Sequence, residues 1–194
     1  MSSSIDYHSL IKNIENGTLN APVYLFYGPE QFLAKEALRM MTDHYLSPEA
    51  RDMNFMKLDA RELEAQDLLQ ELNTLPFFSE YRVLVVEHAE KYFAATKKRS
   101  QEEEEILADY MENINEACCL IFSMEVKPDS RKKIFKKIKE KGLAVEFEAL
   151  KGAQLSSWLR GRVERMDRRI KNDALNYLIA CAGNDLAVLE HELQ

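Results

Sequence analysis

Apolar runs of strand length alternate with helically spaced apolar stripes along most of this chain, and that alternation restricts the fold more than any other feature. The runs are PVYLFYG (22–28), NFMKLDA (54–60), RVLVVEHAE (82–90), ACCLIFSM (117–124) and LAVEFEAL (143–150). Between them Leu33, Ala37, Leu38, Met41 and Tyr45 recur at three and four residues. So do Leu63, Leu68, Leu69 and Leu72, then Ile106, Leu107, Tyr110 and Met111, then Ile134, Phe135 and Ile138. That spacing lines one face of a helix, whereas an unbroken apolar run suits a strand covered on both faces. The pattern predicts an α/β fold: an open, mostly parallel five-stranded sheet with flanking helices.

Local signals set the expected ends. Ile5, Leu10, Ile11 and Ile14 predict a first helix after a Ser4 cap, ended by Gly17. Ser47-Pro48 reads as the break after the second helix, and Gly142 as the stop of the basic helix before it. Residues 97–105, KKRSQEEEE, read as an exposed loop running into a helix. After residue 150 the strand runs cease. QLSSWLRGRVERM, NDALNYLIACAG and NDLAVLEHELQ are three helical stretches, with Asn172-Asp173 and Asn184-Asp185 as starts and Gly183 as a stop. Two domains are therefore expected, an α/β domain over 1–149 and a small three-helix domain over 150–194.

Composition excludes several classes. No apolar run is long enough to span a bilayer, and the opening MSSSIDYHSLIKNIENG lacks the basic and apolar parts of a secretory signal. Cys118, Cys119 and Cys181 are odd in number and lack metal-ligand spacing, which fits a reduced, cytoplasmic setting. A net charge of −7 argues against a chain that is a nucleic-acid magnet as a whole. His8, His44, His88 and His191 fall in different elements, and no nucleophile elbow is present.

The place where a phosphate-binding loop would sit is YGPEQFLAKEAL. Counting from Gly28, the motif's second glycine, lysine and hydroxyl positions hold Leu33, Ala34 and Lys35. Lys35 comes one residue late, a turn of about 100° on a helix. Pro29 also removes a backbone donor. The third strand ends in Glu87-His88 where a nucleotide hydrolase places two acids. No catalytic residue, cofactor or metal ligand is assigned. An NTPase using Lys35 and Glu87 atypically stays as an alternative.

The join TLPFFSEYR (74–82) places Leu75, Phe77 and Phe78 around Pro76, on a connection where polar residues usually serve. These side chains either fold back onto the sheet as core or stand out as a contact surface. Of two adjacent aromatics, one is expected to pack inward and the other to point out. Eight Lys and Arg lie between Lys127 and Lys141. Lys132, Lys133, Lys136 and Lys137 among them, with Arg160 and Arg165 further on, suit either a solvated helix face or contact with a phosphate backbone or a neighbouring subunit. A non-specific DNA-binding protein is therefore a further alternative.

Six stretches in order resemble the delta subunit of the bacterial DNA polymerase III clamp loader. They are PVYLFYGPEQFLAKEAL, LNTLPFFSEYRVLVVEHAEKY, LADYMENINEACCLIFS, DSRKKIFKKIKEKG, VEFEAL and NDLAVLEHELQ. The join LPFFSEYRVLVV and the ending GNDLAVLEHEL are the most specific. The resemblance implies an AAA+-like domain followed by a helical lid, without a working nucleotide site. It implies a subunit that grips and opens the ring-shaped sliding clamp (the beta subunit) during DNA replication, while sister subunits supply ATP hydrolysis. The clamp-binding wedge would be Leu75, Phe77 and Phe78 with Leu72 and Thr74 beside them; Pro76 stands where some relatives carry a leucine. Other loader subunits, joined through a collar domain, and primer–template DNA would be the further partners. The chain is expected to be the first two domains of a longer protein, the collar lying beyond Gln194.

Overall fold

The computed structural model describes residues 4–93 and 98–194. The chain forms two compact units, the first ending at Phe147 and the second Glu148–Gln194.

The first unit is built on a sheet whose strands are β1 (Ser4–Asp6), β2 (Val23–Tyr27), β3 (Phe55–Asp59), β4 (Arg82–Glu87), β5 (Cys118–Met124) and β6 (Leu143–Glu146). They lie in the order β1-β6-β2-β5-β4-β3, and every pairing is parallel. The expected five strands are thus six. The extra strand, Ser4–Asp6, pairs through Ile5 with Val145 at one edge. Three residues are too few to show a period of two, so this segment read as the start of the first helix. The cap of that helix, α1 (Tyr7–Glu15), is Asp6 and not Ser4: the Asp6 carboxylate accepts from the Ser9 N–H at 2.9 Å.

The remaining elements of this unit are α2 (Gln31–Tyr45), α3 (Pro48–Asn54), α4 (Ala65–Asn73), α5 (Glu90–Phe93), α6 (Lys98–Tyr110) and α7 (Lys133–Lys141). Two differ from expectation. Ser47-Pro48 does end α2, yet it also begins α3, because a proline is favoured in the first turn and the Ser47 hydroxyl accepts from the Ala50 N–H. The acidic segment read as a loop is helical from Lys98 onward; Lys97 lies outside the described residues. Glu102 to Glu105 carry no apolar spacing, so periodicity could not find this part of the helix.

Burial explains the layers. On β2, Val23, Leu25 and Tyr27 share a core with Leu68 and Leu72 of α4, Leu107 of α6 and Ile134 and Ile138 of α7. The alternate residues face the other way: the Phe26 ring meets Phe147 at 4.9 Å, and the Tyr24 hydroxyl lies 3.3 Å from that of Tyr45 on α2. A strand covered on both faces must be apolar at every position, and β2 is. The second unit contains α8 (Gly152–Arg165), α9 (Asn172–Ala182) and α10 (Leu186–Glu192). Within it Arg162 Nε lies 3.2 Å from a Glu190 carboxylate oxygen and its guanidinium covers the Trp158 ring. Among the described residues no helix is long and apolar enough to cross a membrane.

Candidate functional site

The connection between α4 and β4 carries the most exposed apolar chemistry among the described residues. Leu75, Phe77 and Phe78 are 74 %, 52 % and 93 % exposed. Both aromatics stand out, so the expected division into one buried and one exposed ring does not occur. Their rings meet edge to face at 4.5 Å, which shelters each partly without a core. Phe78 has φ of 49°, a left-handed backbone that a bulky residue adopts only where its surroundings enforce it. Thr74 is exposed and its hydroxyl donates to the Gln70 carbonyl at 3.0 Å. Leu72, grouped with these residues by sequence, is instead fully buried core.

The loop is fastened at its entry, middle and exit. At the entry, the Leu72 carbonyl accepts from the Tyr110 hydroxyl at 3.3 Å and the Asn115 amide at 3.5 Å. These bonds satisfy a carbonyl that the helix end leaves open. In the middle, the Asn54 amide bonds both backbone groups of Phe77. At the exit, buried Arg82 donates to the Glu71 carbonyl at 2.8 Å and its carboxylate at 2.7 Å, joining the last turn of α4 to the first residue of β4. Tyr81 stacks edge to face on Tyr45. The sequence does not mark Asn54, Tyr110, Asn115 or Arg82 as fastenings of this loop, because each bond joins positions distant along the chain.

The loop after β2 has a different geometry. Only Gly28, Pro29 and Glu30 separate β2 from α2. Gly28 has φ of 128°, and a Cβ there would lie 2.4 Å from the Phe147 carbonyl oxygen. This glycine is thus required by the close passage of another backbone segment. The Glu30 N–H donates to that same oxygen, and the Glu30 carboxylate accepts from the Phe32 N–H at the start of α2. Leu33 and Ala34 are buried, while Lys35 is exposed. At the end of β4, Glu87 accepts from Lys57 at 3.0 Å and His88 is exposed. Among the described residues no group of three or more His, Cys, Asp or Glu is placed to hold a metal.

The basic residues are largely engaged inside the molecule. Lys132 pairs with Glu104 at 2.7 Å and Lys133 with Asp109 at 2.8 Å. Lys137 pairs with Glu112 and, at 3.3 Å, with Glu140, so α7 lies against acids of α6 and the turn after it. Lys136 is exposed. Arg160 donates to the Ile170 carbonyl and to Asn172, and Arg165 is exposed on the same helix. Lys132, Lys133, Lys136 and Lys137 belong to the first unit, Arg160 and Arg165 to the second.

A family model described as DNA polymerase III, delta subunit matches residues 24–148. The chain is 22 % identical over 187 residues to the DNA polymerase III subunit delta of Bacillus subtilis (strain 168), covering 94 % of this chain and 53 % of that one. Among solved structures it is similar to the Bacillus subtilis DNA clamp loader delta protein, with a TM-score of 0.80 and 21 % identity over 97 % of this chain and 56 % of the other. A DNA polymerase III gamma subunit-related protein of Thermotoga maritima shares the fold more distantly, with a TM-score of 0.55 and 12 % identity over 96 % of this chain and 57 % of the other. The chain spans about half the length of these relatives.

Proposed function

The chain belongs to the DNA polymerase III delta subunit family, and on that premise we propose that it grips a ring-shaped DNA sliding clamp through Leu75, Phe77 and Phe78 and holds the ring open for loading. The observation that carries this reading is the set of three large apolar side chains kept in water on a loop fastened along its length. Burying each is worth about 1.5–3 kcal/mol, or roughly 5–9 kcal/mol together before the costs of association. A few such clustered residues suffice to anchor a small interface. Opening a ring requires more: the loop must bind the open or strained clamp more tightly than the closed one. Insertion beside the ring's own interface would meet that condition by trapping openings, with no chemical step in this chain.

A non-catalytic role is supported by the short connection after β2, by Leu33 and Ala34 in the core, and by the pairing of Glu87 with Lys57. ATP hydrolysis then falls to companion subunits, with this chain working beside them in the cytoplasm. The second unit serves as the lid of an AAA+-like pair of domains. Primer–template DNA would meet this protein within the assembled loader, where the exposed Lys136 is better placed for phosphate contact than the paired Lys132, Lys133 and Lys137.

The test is binding to a purified sliding clamp. The triple variant Leu75→Ala/Phe77→Ala/Phe78→Ala should lose measurable binding while its circular-dichroism spectrum stays unchanged. Undiminished binding by that variant would remove the loop from the interface. Micromolar binding of Mg-ATP by calorimetry would contradict the non-catalytic role.

A further inference from the structure

We infer that Asn54 is the positioning residue that fixes the 74–81 loop in its outward conformation before any partner arrives. The inference rests on the wedge reading given above. Asn54 is the last residue of α3 and only 1 % exposed, although the rings it serves stand in water. Its Nδ2 donates to the Phe77 carbonyl at 2.9 Å, and its Oδ1 accepts from the Phe77 N–H at 2.7 Å. The second hydrogen of Nδ2 goes to the Ala50 carbonyl at 2.9 Å. The amide orientation is fixed by this pattern, since a flipped amide would set donor against donor at Phe77.

A side-chain amide has the donor and acceptor of a peptide group. Here it pairs with one residue as a neighbouring strand would, five residues before β4 begins at Arg82. The loop's fastenings on Leu72 and Arg82 lie at its ends, whereas Asn54 engages both backbone groups of Phe77 in its middle. Holding Phe77 also holds the start of the left-handed turn at Phe78. A loop ordered in advance loses less conformational entropy on docking than one that must be ordered by its partner. Asn54 therefore acts on binding through Phe77 without touching the partner.

Asn54→Leu keeps the branched side-chain shape and removes all three hydrogen bonds. Two readouts separate positioning from general support of the fold. Amide exchange at Phe77 should accelerate by about tenfold or more in the free protein, while Leu120 to Phe122 of β5 stay at their wild-type rates. Affinity for a purified sliding clamp should fall by about tenfold. If Asn54→Leu does not fold, Asn54→Ser, too short to reach both groups, is measured in the same way. Unchanged exchange at Phe77 overturns the inference, and so does full clamp affinity despite faster exchange. The two failures are distinguishable: full binding by the triple alanine variant rejects the wedge itself, whereas loss there with full binding by Asn54→Leu rejects only the role of Asn54.

Discussion

The Glu104 carboxylate meets the Lys132 ammonium at 2.7 Å with both side chains about nine-tenths withdrawn from water. Its other oxygen accepts from the backbone N–H of Lys133 at 2.7 Å and of Ile134 at 3.4 Å. A residue of α6 thus caps α7, whose own cap position holds a lysine that offers no acceptor. The negative charge also sits where the helix dipole favours it.

Glu104→Ala removes both the cap and the charge opposite Lys132. It should lower the unfolding free energy by about 2–4 kcal/mol, with Glu104→Gln costing less because the amide oxygen still accepts. Urea denaturation measures the difference. A cost below about 1 kcal/mol for Glu104→Ala would show that α7 does not depend on this cap.

Gly28→Ala should be among the more damaging single-methyl additions in the chain. It combines a backbone at φ of 128° with a contact of 2.4 Å to the Phe147 carbonyl, and a cost of about 2–4 kcal/mol is expected. Gly161→Ala is the control. Gly161 lies within α8 with open space around it, and there alanine should be neutral or stabilise by up to about 1 kcal/mol. Equal effects of the two substitutions on thermal unfolding would reject the argument from close approach.

Thiol chemistry should distinguish the three cysteines. Burial pushes the Cys118 thiol up to about 12 and raises the Cys119 thiol well above its ordinary range, so both stay protonated and unreactive at neutral pH. Cys181 is exposed. A thiol reagent at pH 8 should therefore modify one cysteine quickly in the native protein and all three after denaturation. Fast native modification of Cys118 or Cys119 would contradict their burial in β5.

Asp129 accepts hydrogen bonds from the Arg131 side chain and backbone, which hold its carboxyl down at about 2. Because the folded value is depressed, the stabilisation is present above the ordinary value of 3.8 and is lost as pH falls toward 2. Arg131→Ala should move the carboxyl midpoint, followed by NMR, upward toward 3.8. Asp59, held down by Arg61 in the same way, supplies the internal comparison and should not move. An Asp129 midpoint unchanged by the substitution would reject the guanidinium as the main cause.

What could be read from sequence follows the range of the interaction involved. The apolar runs at 83–86 and 120–122 announce β4 and β5 because a central parallel strand is covered on both faces. Gly183 marks a helix end by local backbone geometry, at φ of 75°, whereas Gly142 is extended and a Cβ there would lie 2.0 Å from the Val23 carbonyl oxygen. Ser4–Asp6 is too short to carry a period, and Glu102 to Glu105 belong to a helix whose charge hides it. In the loop between α4 and β4, Leu75, Phe77 and Phe78 are visible as an anomaly of composition. The Asn54 amide that bonds the Phe77 backbone lies 23 positions earlier in the chain and is invisible to any local pattern.

The packing of Leu33 has a consequence for engineering. To carry a phosphate loop, positions 33, 34 and 35 would have to become glycine, lysine and a hydroxyl residue. The first change would empty a fully buried leucine site, and the second would set a lysine where Ala34 is 5 % exposed. Each step costs stability before any nucleotide could repay it. Core packing therefore resists the installation of a phosphate loop at this position, one substitution at a time.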